Sequence, residues 1–224
     1  MAATGTADDP GGESRPGRAP GATARDGGPT PGPGWRTARI VTEVTAPAIL
    51  VATMFLLLGW YSSRESAAGL AWGLLAAVFG SLIPFVYILG NVRRGRLTDH
   101  HVGVREQRRV PLLVGLASVA VGLLLMAALG APRAVLALTA AGAVGLAVSV
   151  TVSHWWKMSI HSAVASGAAV ILVLVFGPAL FGVWPVLGLI GWSRVRLGDH
   201  TVPQVLVGGV IGALVAGAVF THLR

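Results

Sequence analysis

"PLLVGLASVAVGLLLMAAL", Pro111–Leu129, is nineteen residues long and carries no charge. A helix needs about 20 consecutive apolar residues to cross a bilayer, and this run is close to that length. Similar runs lie on both sides of it. Val44–Tyr61 and Gly69–Gly90 precede it, and Ala134–Ser153, Ser162–Phe176, Leu180–Trp192 and Pro203–Phe220 follow. The Ser162 and Leu180 runs are the shortest, so six or seven segments cross. The chain is 54% hydrophobic and 12% charged, whereas soluble domains carry about a quarter charged residues. The pattern predicts an all-α polytopic transmembrane helix bundle.

Ahead of the first run, residues 1–35 are rich in Gly, Pro, Ala and Thr with mixed charges. Such a segment cannot bury a core and is expected to be a disordered tail. It has no apolar stretch, so it is not read as a signal peptide. The absence of cysteine excludes disulfides and thiolate chemistry. The net charge is +8, but no nucleic-acid motif accompanies it, and arginines flanking membrane spans account for it. The arginine excess, with abundant Ala, Gly and Val, suggests a GC-rich bacterial source. The loop between the second and third runs holds Arg93, Arg94, Arg96, Arg105, Arg108 and Arg109, and Arg36 and Arg39 precede the first run. By the positive-inside rule both segments are cytoplasmic in a multi-pass protein of the cell membrane. Arg93, Arg94 and Arg96 are read as topology anchors or contacts to anionic headgroups.

With seven crossings, three polar clusters share that side: "DHHVGVREQRRVP", "HWWKMSIHSA" and "SRVRLGDHTVPQV". They combine cations and imidazoles with few carboxylates, Asp99, Glu106 and Asp199. That balance suits a phosphate ester. Arginine forks match phosphate oxygens bidentately, lysine adds a point charge, and histidine serves as nucleophile or acid near neutral pH. Lys157, the one lysine among seventeen basic residues, lies four residues before His161, so a helix would put both on one face. Ser159 lies between them as a donor to a phosphate oxygen. His200 and Gln204 are also four apart. On a helix the Gln204 carbonyl oxygen can accept from His200 Nδ1 and leave Nε2 free to attack.

The third cluster resembles the third signature of the type 2 phosphatidic acid phosphatase (PAP2) superfamily: Ser-Arg, five residues, His, three residues, usually Asp. Ser193, Arg194 and His200 match, and Gln204 stands in place of the acid. The form His200, Thr201, Gln204, Val205 and Gly208 resembles the branch that contains dolichyl and other polyprenyl diphosphatases. "KMSIHSA" resembles the second signature through Ser159 and His161. "REQRRVP" resembles the first loosely. If Arg108 is its arginine, the lysine position falls on His101; if Arg109 is, it falls on Val102. Arg105, Arg108 and Arg109 therefore stay as candidates.

The resemblance implies that residues 36–224 form a transmembrane lipid-phosphatase-like domain. It implies a phosphohistidine on His200, protonation of the leaving oxygen by His161, and phosphoryl oxygens held by Lys157, Ser159, Arg194 and an arginine of the first cluster. No metal and no cofactor are implied. The expected partners are membrane lipids and a lipid phosphate or diphosphate, isoprenoid first and phosphatidate-like second. A catalytically inactive relative that binds lipid phosphates or a partner protein is the alternative, because the amide of Gln204 orients an imidazole but brings no charge. His100, His101 and His154 read as interfacial, and "DHH" as poor metal-ligand geometry, with one carboxylate beside adjacent histidines. Trp155, Trp156 and Trp192 read as belt residues. Asp199 is expected to point away from the nucleophile.

Overall fold

The computed structural model describes residues 32–63 and 66–224. Residues 1–31 of the expected tail, and Arg64 and Glu65 of the first turn, lie outside the described residues. Among the described residues there are nine α-helices and no strand: α1 Trp35–Val44, α2 Pro47–Ser62, α3 Ala67–Ala77, α4 Ile83–Arg93, α5 Arg109–Ala128, α6 Arg133–Trp155, α7 Ile160–Phe176, α8 Trp184–Arg196 and α9 Val202–Leu223. Six stretches are long and apolar enough to cross a membrane, and α7, at 17 residues, is the shorter seventh. At 1.5 Å per residue α7 is about 26 Å long, close to the ~30 Å of a hydrocarbon core.

Two proline effects move the helix boundaries from where hydropathy alone sets them. The first span does not begin at Val44. The chain is already helical from Trp35, breaks at Thr45 and Ala46, and restarts with Pro47 as the first residue of α2. Proline lacks an N–H and holds the residue before it extended, as Ala46 is at φ −56°, ψ 140°. The last four expected tail residues, Gly32–Trp35, thus lead directly into α1, which buries Ala38 and Thr42 and leaves Ile40 and Val44 exposed. The second span, expected as one helix, is α3 and α4 joined by a π-helical turn at Val78–Leu82. Pro84 cannot donate to the helix, and the turn widens to absorb the loss. The disturbed stretch is tied to its neighbours by hydroxyls: Ser118 Oγ donates to the Phe79 carbonyl and Ser81 Oγ to the Ala48 carbonyl, each at 2.7 Å.

The helix faces follow residue size. On α5 the buried residues Leu112, Gly115, Val119, Gly122 and Met126 recur at three- and four-residue steps, the period of one helix face. On α9 the outward residues are Leu206, Val210 and Leu214, and the buried face carries Gly208 and Ala216. Gly212, between these two, packs against α7: a Cβ there would overlap the Ala163 carbonyl, and one on Gly208 would overlap the Ser159 carbonyl. Small residues permit this backbone-to-backbone approach, which drives helix association where lipid removes the hydrophobic gain. The core between the helices is built from Met54, Phe55, Leu58, Met126, Val135 and Phe220 among others.

The bundle has two ends. At one, Tyr61 of α2, Arg133 of α6, Val175 of α7 and Phe220 of α9 surround a small recess. At the other, the starts of α5, α7 and α9 meet the ends of α6 and α8, and α1 lies alongside α8. There Thr42 and Ser193 hydroxyls are 3.0 Å apart, and Arg196 donates to the Pro33 carbonyl. All three polar clusters lie at this second end.

Candidate active site

Three short connections carry the site: residues 94–108 between α4 and α5, Trp156–Ser159 between α6 and α7, and Leu197–Thr201 between α8 and α9. The second is locked to the first turn of α9, because Ser159 N–H donates to the Gln204 carbonyl at 3.1 Å. His161, two residues into α7, and His200, two before α9, thereby share one cavity wall.

His200 is 5% exposed. Its Nδ1 lies 3.1 Å from Gln204 Oε1, and that oxygen also accepts from Thr201 N–H at 3.2 Å. The backbone N–H can only donate, so the Gln204 oxygen must face it, and His200 Nδ1 must be the proton-bearing nitrogen. Nε2 then carries the lone pair. Gln204 also completes a capping box with Thr201 at the start of α9, so one amide both caps the helix and sets the tautomer. Burial, then the nearby Arg108 guanidinium, push the His200 imidazole down to about 3. It is neutral throughout the physiological range.

Arg194 is 1% exposed. Its Nη2 pairs with Asp199 at 2.9 Å, while Nε and Nη1 have no partner among the described residues. His161 Nε2 is likewise buried without a partner. Buried donors in proteins are nearly always satisfied, and a cavity-lining guanidinium with two such nitrogens suits an anion that brings its own oxygens. Asp199, expected to point away from the nucleophile, holds the third arginine nitrogen.

The three arginines of the first cluster separate clearly. Arg108 is 3% exposed, lines the cavity, and is held by Nε to the Val102 carbonyl and Nη1 to the Met158 carbonyl, both 2.9 Å. Arg105 is turned to the end of α6, where it donates to the His154 and Trp155 carbonyls. Arg109 is exposed at the start of α5. The site therefore gathers Arg108 and leaves the other two outside the cavity wall. Ser159 is fully buried as the N-cap of α7, and its oxygen accepts from Ser162 N–H and hydroxyl. Lys157 is half-buried outside the wall. Desolvation first, and then Arg108, lower its ammonium below the usual lysine range, and its charge is felt at His200.

Two residues read as interfacial belong to the site. His100 and His101 line the cavity, and the His101 ring stands edge-on to His161 with centroids 5.1 Å apart. Burial, then His100, push the His101 imidazole down. Glu43 of α1 reaches both, at 3.1 Å from His100 Nε2 and 3.3 Å from His101 Nε2. Nothing in the sequence pairs residue 43 with residues 100 and 101. Only the α1–α8 packing brings them together. His154 is exposed beside Trp155.

Beyond the polar end the cavity, about 290 Å³, continues between apolar side chains such as Met54, Phe55, Phe85, Val119, Leu138 and Ile171. From His161 to Ile171 along α7 is about 15 Å at 1.5 Å per residue. The site is thus a buried cationic pocket at one end of a helix bundle of multi-pass character, with an apolar continuation between the helices. Residues 145–223 match the family model of the PAP2 superfamily, whose members are phosphatases. That match runs from within α6 through α9 and includes Lys157, Ser159, His161, Arg194, His200 and Gln204. Comparisons with curated proteins and with solved structures gave no match.

Proposed function

We propose that the protein is a membrane-embedded, metal-independent phosphatase that hydrolyses a lipid phosphate or diphosphate through a phosphohistidine. The observation that carries this reading is the buried Arg194 guanidinium, with Nε and Nη1 unpartnered among the described residues, beside His161 and His200 at the polar end of a cavity that continues between apolar side chains. His200 Nε2 attacks the terminal phosphorus as its bond to the leaving oxygen breaks, the ester oxygen of a monophosphate or the bridging oxygen of a diphosphate, and His161 gives its Nε2 proton to that oxygen. A water then attacks the phosphohistidine, returns a proton to His161, and inorganic phosphate leaves. Arg194, Arg108 and Lys157 hold the phosphoryl oxygens and offset charge that develops on them. An isoprenoid diphosphate is the first substrate and a phosphatidate-like lipid the second, from the His200-Thr201-Gln204-Val205 form. The site faces the cytoplasm, from the arginine distribution of the sequence.

The test is phosphate release by detergent-purified protein in EDTA, with a polyprenyl diphosphate, a polyprenyl monophosphate and phosphatidate compared at equal concentration. Release is expected for at least one lipid, with the diphosphate fastest. No release from any of them would favour the inactive relative.

The protonation state of His200 is open to direct measurement. The folded imidazole takes its proton only near pH 3, whereas an ordinary histidine does so near 6.5. A histidine-selective NMR titration should therefore show the resonance absent from His200→Ala staying that of a neutral Nδ1–H ring from pH 7.5 down to about 5. A midpoint between about 6 and 7 would contradict the buried, tautomer-fixed nucleophile.

A further inference from the structure

We propose that Glu43, His100 and His101 form a binding site for one divalent cation of the zinc class at the edge of the phosphate pocket. Their ligand atoms, one carboxylate oxygen and one ring nitrogen from each histidine, all lie within 4.8 Å of one another. Around a tetrahedral ion with bonds of about 2.0 Å, neighbouring donor atoms stand about 3.3 Å apart. Each imidazole nitrogen already has one Glu43 oxygen at that spacing, Oε2 at 3.1 Å from His100 Nε2 and Oε1 at 3.3 Å from His101 Nε2. Bringing the two imidazole nitrogens equally close requires side-chain rotation only, and His100, with 37% of its side chain exposed, has room for it.

The groups are held from three directions. Glu43 follows Thr42, whose buried hydroxyl is anchored to Ser193 of α8. The histidine pair is set by Asp99, whose carboxylate accepts from His101 N–H at 2.7 Å and Gly103 N–H at 3.1 Å. Val102, just beyond, adopts a left-handed φ of 48° while its carbonyl accepts from Arg108. Asp99, the only carboxylate adjoining the pair in sequence, is thus spent on the backbone, and Glu43 supplies the ligand that the "DHH" stretch lacks.

The ligand set selects the ion. Two imidazoles and one carboxylate suit zinc and its neighbours, while magnesium and calcium demand oxygen ligands. Three protein ligands also leave a coordination position open. In the metal-free protein the same groups satisfy one another by hydrogen bonds, and the ion replaces the protons on the two nitrogens. Because both histidines line the cavity, the ion adds positive charge beside the pocket and offers its open position to an anion's oxygen.

The experiment uses the full chain, without a histidine tag, stripped of metal and dialysed against zinc chloride with excess magnesium. Bound zinc is counted by elemental analysis. About one zinc per chain is expected, and at least a tenfold weaker affinity for Glu43→Ala. Glu43→Gln keeps a hydrogen-bond acceptor and hence the fold, checked by thermal melting, and should lose zinc as well. No stoichiometric zinc in the wild type, or equal binding by wild type and Glu43→Gln, overturns the site. Phosphate release in EDTA is measured on the same preparation. Hydrolysis without zinc binding removes this site alone, and zinc binding without hydrolysis removes the phosphatase reading alone.

Discussion

Phosphate release by the His200→Ala protein is expected to fall at least about a thousandfold, with the fold retained, because loss of a catalytic nucleophile costs that much or more. The ring is almost fully buried, yet its one described hydrogen bond is to Gln204. That oxygen keeps its second donor, Thr201 N–H, after truncation, so α9 stays capped. Arg194 and Arg108 also remain, so lipid phosphate should still bind with an affinity near that of the wild type. The loss therefore falls on turnover and not on binding. Initial rates in EDTA, a lipid-binding isotherm and a melting curve separate these effects. Activity within about tenfold of the wild type would remove His200 as the nucleophile.

The second large effect is structural and far from any charge. Gly212→Ala is expected to destabilise the folded protein by about 3 kcal/mol and to cut hydrolysis at least a hundredfold. The added methyl collides with the Ala163 carbonyl on α7, which is backbone and cannot swing away. The helices must part, and they carry the two histidines: His161 lies two residues before Ala163, and His200 precedes α9. Displacement of a reacting group by about 1 Å costs about a hundredfold. Gly142→Ala is the control, since nothing lies within 4 Å of a Cβ there. If Gly212→Ala melts and turns over like Gly142→Ala, the close α7–α9 contact does not set the site geometry.

The spans were legible because a bilayer demands length and apolarity, and both are local properties of sequence. The His200–Gln204 contact was legible because a four-residue spacing at a helix start is local too. What escaped was long-range. Glu43 meets His100 and His101 only after α1 docks on α8, and α1 was hidden because hydropathy starts the first span at Val44 and assigns no element to the short amphipathic stretch before it. Arg108 could not be chosen over Arg109 from the loose motif. The choice depends on the turn at Val102, whose left-handed backbone no propensity would assign to valine. Ser159 shows the opposite case, a residue whose position in a helix-start motif was visible but was read for its hydroxyl chemistry alone.

The glycine contacts between α7 and α9 also decide the route of lateral traffic. Where Gly208 and Gly212 lie against opposing carbonyls, no side chain intervenes, and no hydrocarbon chain can slip between those helices. The same cavity is bounded elsewhere by Pro84, Phe85 and Ile88 of α4 and Gly115 of α5, next to the π-helical turn at Val78–Leu82. One wall of the chamber is thus a closed seam, and a lipid of the proposed class would have to bring its tail in by another wall.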